Sequence, residues 1–158
     1  MGGRARRALQ WTLAAVAAVA IFTVIGGQMG LFAGKRPHRI GVMNGQLQPV
    51  RTELFNAVSS TATTSYHRIE PLPAGPDPQA GFARLREQVL ATPGARVVQE
   101  SPGYLYAEFS SKWLGFVDDV EFLLDAKRGV IDVRSASRLG RKDFGVNRRR
   151  IEALRARL

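Results

Sequence analysis

The stretch FVDDVEFLLDAKRGVIDVRS, Phe116 to Ser135, decides the fold. Val120, Phe122 and Leu124 recur at every second position, with Asp119 and Glu121 before and between them. After Ala126-Lys127-Arg128-Gly129 the alternation resumes at Ile131 and Val133. Period-two alternation on both sides of a short glycine-containing loop predicts an antiparallel hairpin. With Val120, Phe122 and Leu124 on the same face as Ile131, Val133 and Ser135, Phe122 stands opposite Val133 and Glu121 opposite Arg134. A slip of one residue would set Glu121 beside Val133 and is disfavoured. The other face carries Asp119, Glu121, Asp132 and Arg134. It has two readings. One is an exposed cross-strand charge pair worth under ~1 kcal/mol. The other is a polar site under the C-terminal segment, where paired acids do acid–base work or hold a metal.

Upstream of this hairpin, Val97–Glu100 and Tyr104–Phe109 flank Ser101-Pro102-Gly103 and predict a second one. Before that, Asp77-Pro78 reads as a helix start, with Asp as N-cap and Pro at the first helical position. Phe82, Leu85, Val89 and Leu90 recur at helical spacing until Pro93-Gly94. Tyr66 to Leu72 reads as a short strand ended by Pro71, and Ser59 to Ser65 as a loop at the domain entry. Downstream, a last helix runs from about Phe144 to the C-terminus, with Asp143 as candidate N-cap. Its apolar row is Ile151, Leu154 and Leu158, with Asn147 one turn earlier on the same face. The order β-α-β-β-β-β-α predicts an α+β domain: one mainly antiparallel sheet with two packed helices, preceded by one transmembrane helix.

That transmembrane helix is ALQWTLAAVAAVAIFTVI, Ala8 to Ile25, which has no ionisable residue and follows Arg4, Arg6 and Arg7. Eighteen helical residues span about 27 Å, close to the hydrocarbon thickness of a bilayer. A signal peptide is the rival reading, since Ala18-Val19-Ala20 is an acceptable cleavage site. Cleavage there would leave Ile21–Ile25 as an apolar N-terminus, so an uncleaved anchor is favoured. Gly26, Gly30 and Gly34 fall on one helical row with Ala14, Ala18 and Phe22, which interrupts the small stripe, and are the candidate helix-packing residues, if the helix runs on past Ile25. The alternative, which is preferred, is that Gly26-Gly27 end the helix. The chain thus divides into a basic flank (1–7), an anchor (8–33), a linker (34–55) and the α+β domain (56–158). The linker holds Pro37, Gly41, Gly45 and Pro49 without sustained periodicity and is expected to be extended and poorly ordered.

The net charge of +10 is unevenly placed. Residues 1–39 carry +6, residues 40–133 carry −3, and residues 134–158 carry +7. A nucleic-acid binder would be more uniformly basic, so nucleic acid is not expected as a partner. The first patch suits anionic headgroups. The last is a lipid contact, a partner site or the solvated face of a helix. The closer basic cluster keeps the N-terminus cytoplasmic and sends the domain outward.

Other chemistry is sparse. There is no cysteine, hence no disulfide, thiolate or cysteine metal site. His38 lies in the linker, and His67 is alone. Ser59, Ser60 and Ser65 lack a GxSxG setting, and no phosphate-binding loop is present. No catalytic residue, metal site or cofactor is assigned.

Tyr66–Leu72 (YHRIEPL), Gly115–Phe122 (GFVDDVEF), Val133–Gly140 (VRSASRLG) and Asp143–Glu152 (DFGVNRRRIE) together resemble the bacterial and plastid family called domain of unknown function 1499. The resemblance covers about Asn56 to Leu158. The family commonly opens Asn-Cys-Val-Ser-Ser. Here Ala57 stands in place of the cysteine, so no thiol chemistry carries over. The family has no established activity. Its motif residues, Asp118, Asp119, Glu121, Arg134, Ser135, Ser137, Arg138, Asp143, Asn147 and Arg148, form the candidate polar network that ties the C-terminal segment to the sheet. Two functions are compatible with these features. The favoured one is a non-enzymatic, membrane-anchored accessory or assembly subunit whose partners are membrane lipid and other transmembrane proteins. The other is a membrane-surface hydrolase, or a small-ligand or metal-binding domain, using the Asp/Glu/Arg cluster.

Overall fold

The computed structural model describes residues 2–158. The N-terminal apolar run forms α1 (Gly3–Gln28), a helix long and apolar enough to cross a membrane. It stops in a C-terminal motif that the glycines create. The Gly30 amide donates to the Gly27 carbonyl at 3.0 Å, and the Leu31 amide to the Gly26 carbonyl at 3.0 Å. Gly30 supplies the left-handed φ of 89° that this geometry requires. The row Gly26, Gly30, Gly34 is therefore not a helical stripe. Gly30 terminates the helix, and Gly34, also left-handed, lies beyond it against Arg138 and Leu139 of the domain.

A small hairpin, β1 (Val42–Met43) and β2 (Gln46–Leu47), follows. The domain then runs β3 (Ala57–Ser59), β4 (Leu72–Pro73), α2 (Pro78–Ala91), β5 (Ala95–Ser101), β6 (Tyr104–Ser110), β7 (Val117–Asp125), β8 (Val130–Ser137) and α3 (Val146–Arg155). The main sheet has the order β3-β8-β7-β6-β5, with β4 also on β8, and every pairing is antiparallel. Phe122 stands opposite Val133 and Glu121 opposite Arg134, as alternation requires.

One face of the sheet is apolar. Leu105, Ala107, Val120, Phe122, Ile131 and Val133 are fully buried there. They pack with Phe82, Leu85 and Val89 of α2 and Ile151 and Leu154 of α3. Asp77 caps α2 by accepting from the Gln79 and Ala80 amides, with Pro78 at the first position. Leu90, in phase with the apolar row by spacing, ends up half exposed.

Two expectations are corrected, and one strand is new. Tyr66–Leu72 is not a strand: the His67 and Arg68 amides both close onto the Thr64 carbonyl in a tight turn, Arg68 makes only an isolated bridge to Ser59, and strand pairing begins at Leu72. The Ser59–Ser65 loop follows an edge strand, β3, that the sequence did not reveal and that shares only Ser59 with it. Residues 34–51 are not a loose linker but a strap across the second face of the sheet. There Leu47, with Ile40, packs on Tyr104, Tyr106 and Leu123, and Val50 packs with Ala57 and Ala62.

Candidate functional site

The hairpin register projects Asp119, Glu121, Asp132 and Arg134 onto the face that the strap covers. Tyr104, Tyr106 and Glu108 of β6 join them, because they alternate with the core residues Leu105, Ala107 and Phe109. Glu121 is wholly inaccessible and Arg134 nearly so, and their side chains pair at 2.7 Å. The exposed charge-pair reading fails here, because the strap removes the pair from water. Buried charge is tolerated only when paired and hydrogen-bonded. Accordingly, the other Glu121 oxygen accepts from the Tyr104 hydroxyl at 2.8 Å and from the Gly41 amide at 2.6 Å. The Arg134 Nε is buried without a partner, the one incomplete position of this pair.

Next to it, Arg138 grips both oxygens of Asp119, at 2.9 and 2.6 Å. The same guanidinium reaches Glu108 at 2.5 Å. The Tyr106 hydroxyl donates to Asp119 at 2.5 Å. Glu108 receives two further guanidinium groups: Arg36 of the strap at 2.5 Å and Arg96 of β5 at 2.5 Å. Burial opposes ionisation of Glu108, but the bonds from Arg138, Arg36 and Arg96 outweigh it and hold its carboxyl down at about 2. Burial, then the neighbouring carboxylates, raises both tyrosine phenols above their ordinary value. The bonds to Asp119 and Glu108 outweigh burial and raise Arg138. Asp132 lies at the far end of the same face, bonded by Ser60 Oγ at 2.8 Å and by Arg128.

The remaining candidates lie on the opposite, helix-covered face. Asn147, fully buried in the first turn of α3, is their hub. Its amide nitrogen donates to the Asn56 carbonyl at 3.0 Å, to Ser137 Oγ at 2.9 Å and to Asp143 at 2.9 Å. Its oxygen accepts from Ser135 Oγ at 2.5 Å and from Arg150 at 2.8 Å. Arg150 also pairs with Asp118 and lies over the Phe109 ring at 4.9 Å. Asp143 caps α3 from just upstream, accepting from the Gly145 and Asn147 amides. Arg148 donates to the Tyr66 and Arg68 carbonyls at 2.7 and 2.8 Å.

The predicted residues therefore form two networks, not one. Asp119, Glu121, Arg134 and Arg138 tie the strap to the sheet. Asp118, Ser135, Ser137, Asp143 and Asn147 tie α3 to it, and Arg148 pins the 66–68 turn. Alternation along a strand makes the division unavoidable, since Asp118 and Asp119 are adjacent and must point to opposite faces. Tyr104, Tyr106, Glu108, Arg36, Gly41, Asn56 and Arg150 were not singled out from sequence. The β6 residues were within reach, because Leu105, Ala107 and Phe109 of YLYAEFS recur at every second position, as the core residues of the 116–135 hairpin do.

The family described as Protein of unknown function (DUF1499) matches residues 50–158. The chain belongs to this family. No curated protein and no solved structure matches it. The DUF1499 domain thus begins inside the strap, and the chain upstream of Val50 contributes Arg36, Ile40, Gly41 and Leu47 to it.

The chemistry open to these networks is narrow. Asp118, Asp119, Glu121 and Glu108 are each engaged by a guanidinium group and shielded from solvent. His67 is likewise satisfied: Nδ1 is 2.6 Å from Thr64 Oγ1 and Nε2 is 2.8 Å from the Leu54 carbonyl. Among the described residues no three of His, Cys, Asp and Glu are grouped as metal ligands.

Proposed function

We propose that this DUF1499 protein is a single-pass membrane-anchored, non-enzymatic domain acting as an accessory or assembly subunit of a larger membrane complex. The observation that carries the reading is the state of its acids. A general acid or a metal-binding carboxylate needs an approach for substrate or ion. Here Glu108, Asp118, Asp119 and Glu121 are buried and already bonded to arginine or tyrosine, and the partly exposed Asp143 is taken up by the Gly145 and Asn147 amides. A hydrolytic or metal-binding role for the Asp/Glu/Arg cluster has correspondingly less support.

Retention of α1 as an anchor is supported by the way its end is joined to the domain. Gln28 donates to the Lys112 and Trp113 carbonyls at 2.9 and 3.0 Å. Gly27 is buried so closely against Leu114 that a Cβ would sit 2.5 Å from its carbonyl oxygen. The cytoplasmic placement of Arg4, Arg6 and Arg7, with the domain on the periplasmic side of a bacterial inner membrane, rests on the positive-inside bias.

The test is extraction. Under this reading the protein stays in the membrane after carbonate washing, retains Met1 or Gly2, and leaves mild detergent in stoichiometric association with other membrane proteins. Protease added to spheroplasts removes the domain. A mature N-terminus at Ile21 would overturn the anchor. A monomer carrying a tightly bound metal or small molecule would overturn the accessory role.

A further inference from the structure

On the helix-covered side, at the edge where α3 leaves the sheet, lies an open apolar groove of about 550 Å³. Its size falls within the ~300–1,000 Å³ of small-molecule sites. Phe109, Phe116, Leu139, Phe144, Val146 and Leu154 line it. Four of these, Phe116, Leu139, Phe144 and Val146, are large apolar side chains left exposed, and they gather on this one feature. Phe144 is the extreme case. It is 82 % exposed, and its φ of 53° is a conformation that residues other than glycine seldom adopt. An aromatic ring held out into solvent on strained backbone points to a ligand rather than to packing.

The charges of the groove select the ligand. Asp118 is neutralised by Arg150, and Asp143 is used by the α3 amides. Lys142 and Arg157 line the groove too, and among the described residues neither has a carboxylate partner. An apolar trough with unpaired cations suits an anionic amphiphile.

Position selects the source. One wall is the β6–β7 loop, the segment clasped by the end of α1. Gly27 packs on Leu114, and Phe32 stacks on Phe116 with ring centroids 5.3 Å apart. The apolar run of α1 ends at Ile25, so this wall stands where the chain leaves the hydrocarbon layer. The same loop displays Trp113, 65 % exposed, with the Lys112 ammonium 5.1 Å from its ring centre. Tryptophan and lysine are residues of the membrane–water interface.

We propose that this groove binds one acyl chain of an anionic membrane lipid, whose headgroup is drawn by the unpaired cations of the lining, Lys142 and Arg157. The proposal rests on the anchoring of α1. Full-length protein in nanodiscs is irradiated with phosphatidylglycerol bearing a diazirine at the end of one acyl chain, and with the matching phosphatidylcholine. Adducts are located by peptide mapping. With phosphatidylglycerol, adducts are expected at residues 109–117 and 139–154 as well as on α1. Lys142→Glu with Arg157→Glu should lower the groove adducts by about tenfold or more, given the attraction of each basic residue to anionic headgroups. Ala153→Trp fills the groove from an exposed position and should abolish them while leaving α1 labelling unchanged. Adducts confined to α1 would overturn the groove while the anchor stands. Absence of α1 adducts would overturn the anchor and the lipid source with it. Equal groove labelling by the two headgroups, labelling that survives Ala153→Trp, or a co-purified polypeptide crosslinked in the groove would each overturn the proposal.

Discussion

Glu121 accepts from the Gly41 amide at 2.6 Å, and that bond joins the chain downstream of α1 to the centre of the sheet. The strap thereby takes part in solvating a carboxylate that its own presence removes from water. Glu121 and Arg134 must then stand or fall together. Breaking a buried pair on one side leaves a charge uncompensated and costs ~3–5 kcal/mol, while replacing both partners costs less. Glu121→Gln and Arg134→Met are each expected to destabilise the full-length protein in detergent by that order, and the double variant by less than the sum. Denaturant melts of the four proteins measure the coupling. Strict additivity would show that the pair is not a unit.

Glu108 gives the domain an acid-sensitive joint. Its carboxyl titrates at about 2 in the folded state, against an ordinary value of 4.5. A depressed folded value means that the contribution is fully present above about 4.5 and is lost as pH falls towards about 2. Protonation there releases Arg36, Arg96 and part of the grip of Arg138, so the strap should loosen first. The melting temperature of the wild type should fall across this window, and that of Glu108→Gln should fall less. Hydrogen exchange at pH 3 should rise in residues 34–41 before it rises in β7 and β8. Identical acid profiles for the two proteins would remove Glu108 from this role.

The main sheet was legible because β6, β7 and β8 carry an apolar residue at every second position and the hairpins are closed by short glycine loops, which leave one register that buries Val120, Phe122, Ile131 and Val133. The capped start of α2 and the apolar row of α3 were legible for the same local reasons. The strap was not. Residues 34–51 have no period, and they are ordered by bonds to Glu108 and Glu121, more than sixty-five residues away in sequence. The pairing of Glu121 with Arg134 could be read, but its burial could not, because the cover came from a segment that looked like linker. Tyr66–Leu72 misled through its β-compatible residues. There the Thr64 carbonyl takes two amides, and His67, held by Thr64 and Leu54, fixes the turn.

Adjacent glycines at the end of α1 should behave differently. A methyl at Gly26 would meet only the flexible end of Leu31, at 3.3 Å. A methyl at Gly27 would meet the Leu114 backbone at 2.5 Å, which cannot yield without moving the β6–β7 loop. Gly26→Ala is expected to leave the helix–domain junction intact. Gly27→Ala should separate it, raising hydrogen exchange at 111–116 and exposing residues 29–36 to limited proteolysis. Equal protection in the two variants would mean that the close approach does not hold the junction.

The C-terminal helix offers a graded test, because its arginines are not equivalent. Ile151 is fully buried against the sheet, so Ile151→Ala should cost ~2–4 kcal/mol through lost apolar contact and an unfilled cavity. Arg157 is exposed and without an ion partner among the described residues, and Arg157→Ala should change stability by less than ~0.5 kcal/mol. Arg155 by spacing belongs with Arg157 on the solvated face. In the fold its guanidinium donates to the Pro71 and Glu70 carbonyls at 2.7 and 2.6 Å, stitching α3 to the segment that enters β4. Hydrogen bonds from a charged group contribute ~1.5–3 kcal/mol at most, and partial exposure reduces this. Arg155→Ala should therefore fall between the other two, at ~1 kcal/mol, and should raise exchange at the Leu72 amide. A loss at Arg155 as small as that at Arg157 would return it to the solvated face. A loss as large as that at Ile151 would show that the stitch, rather than the apolar row, holds α3 in place.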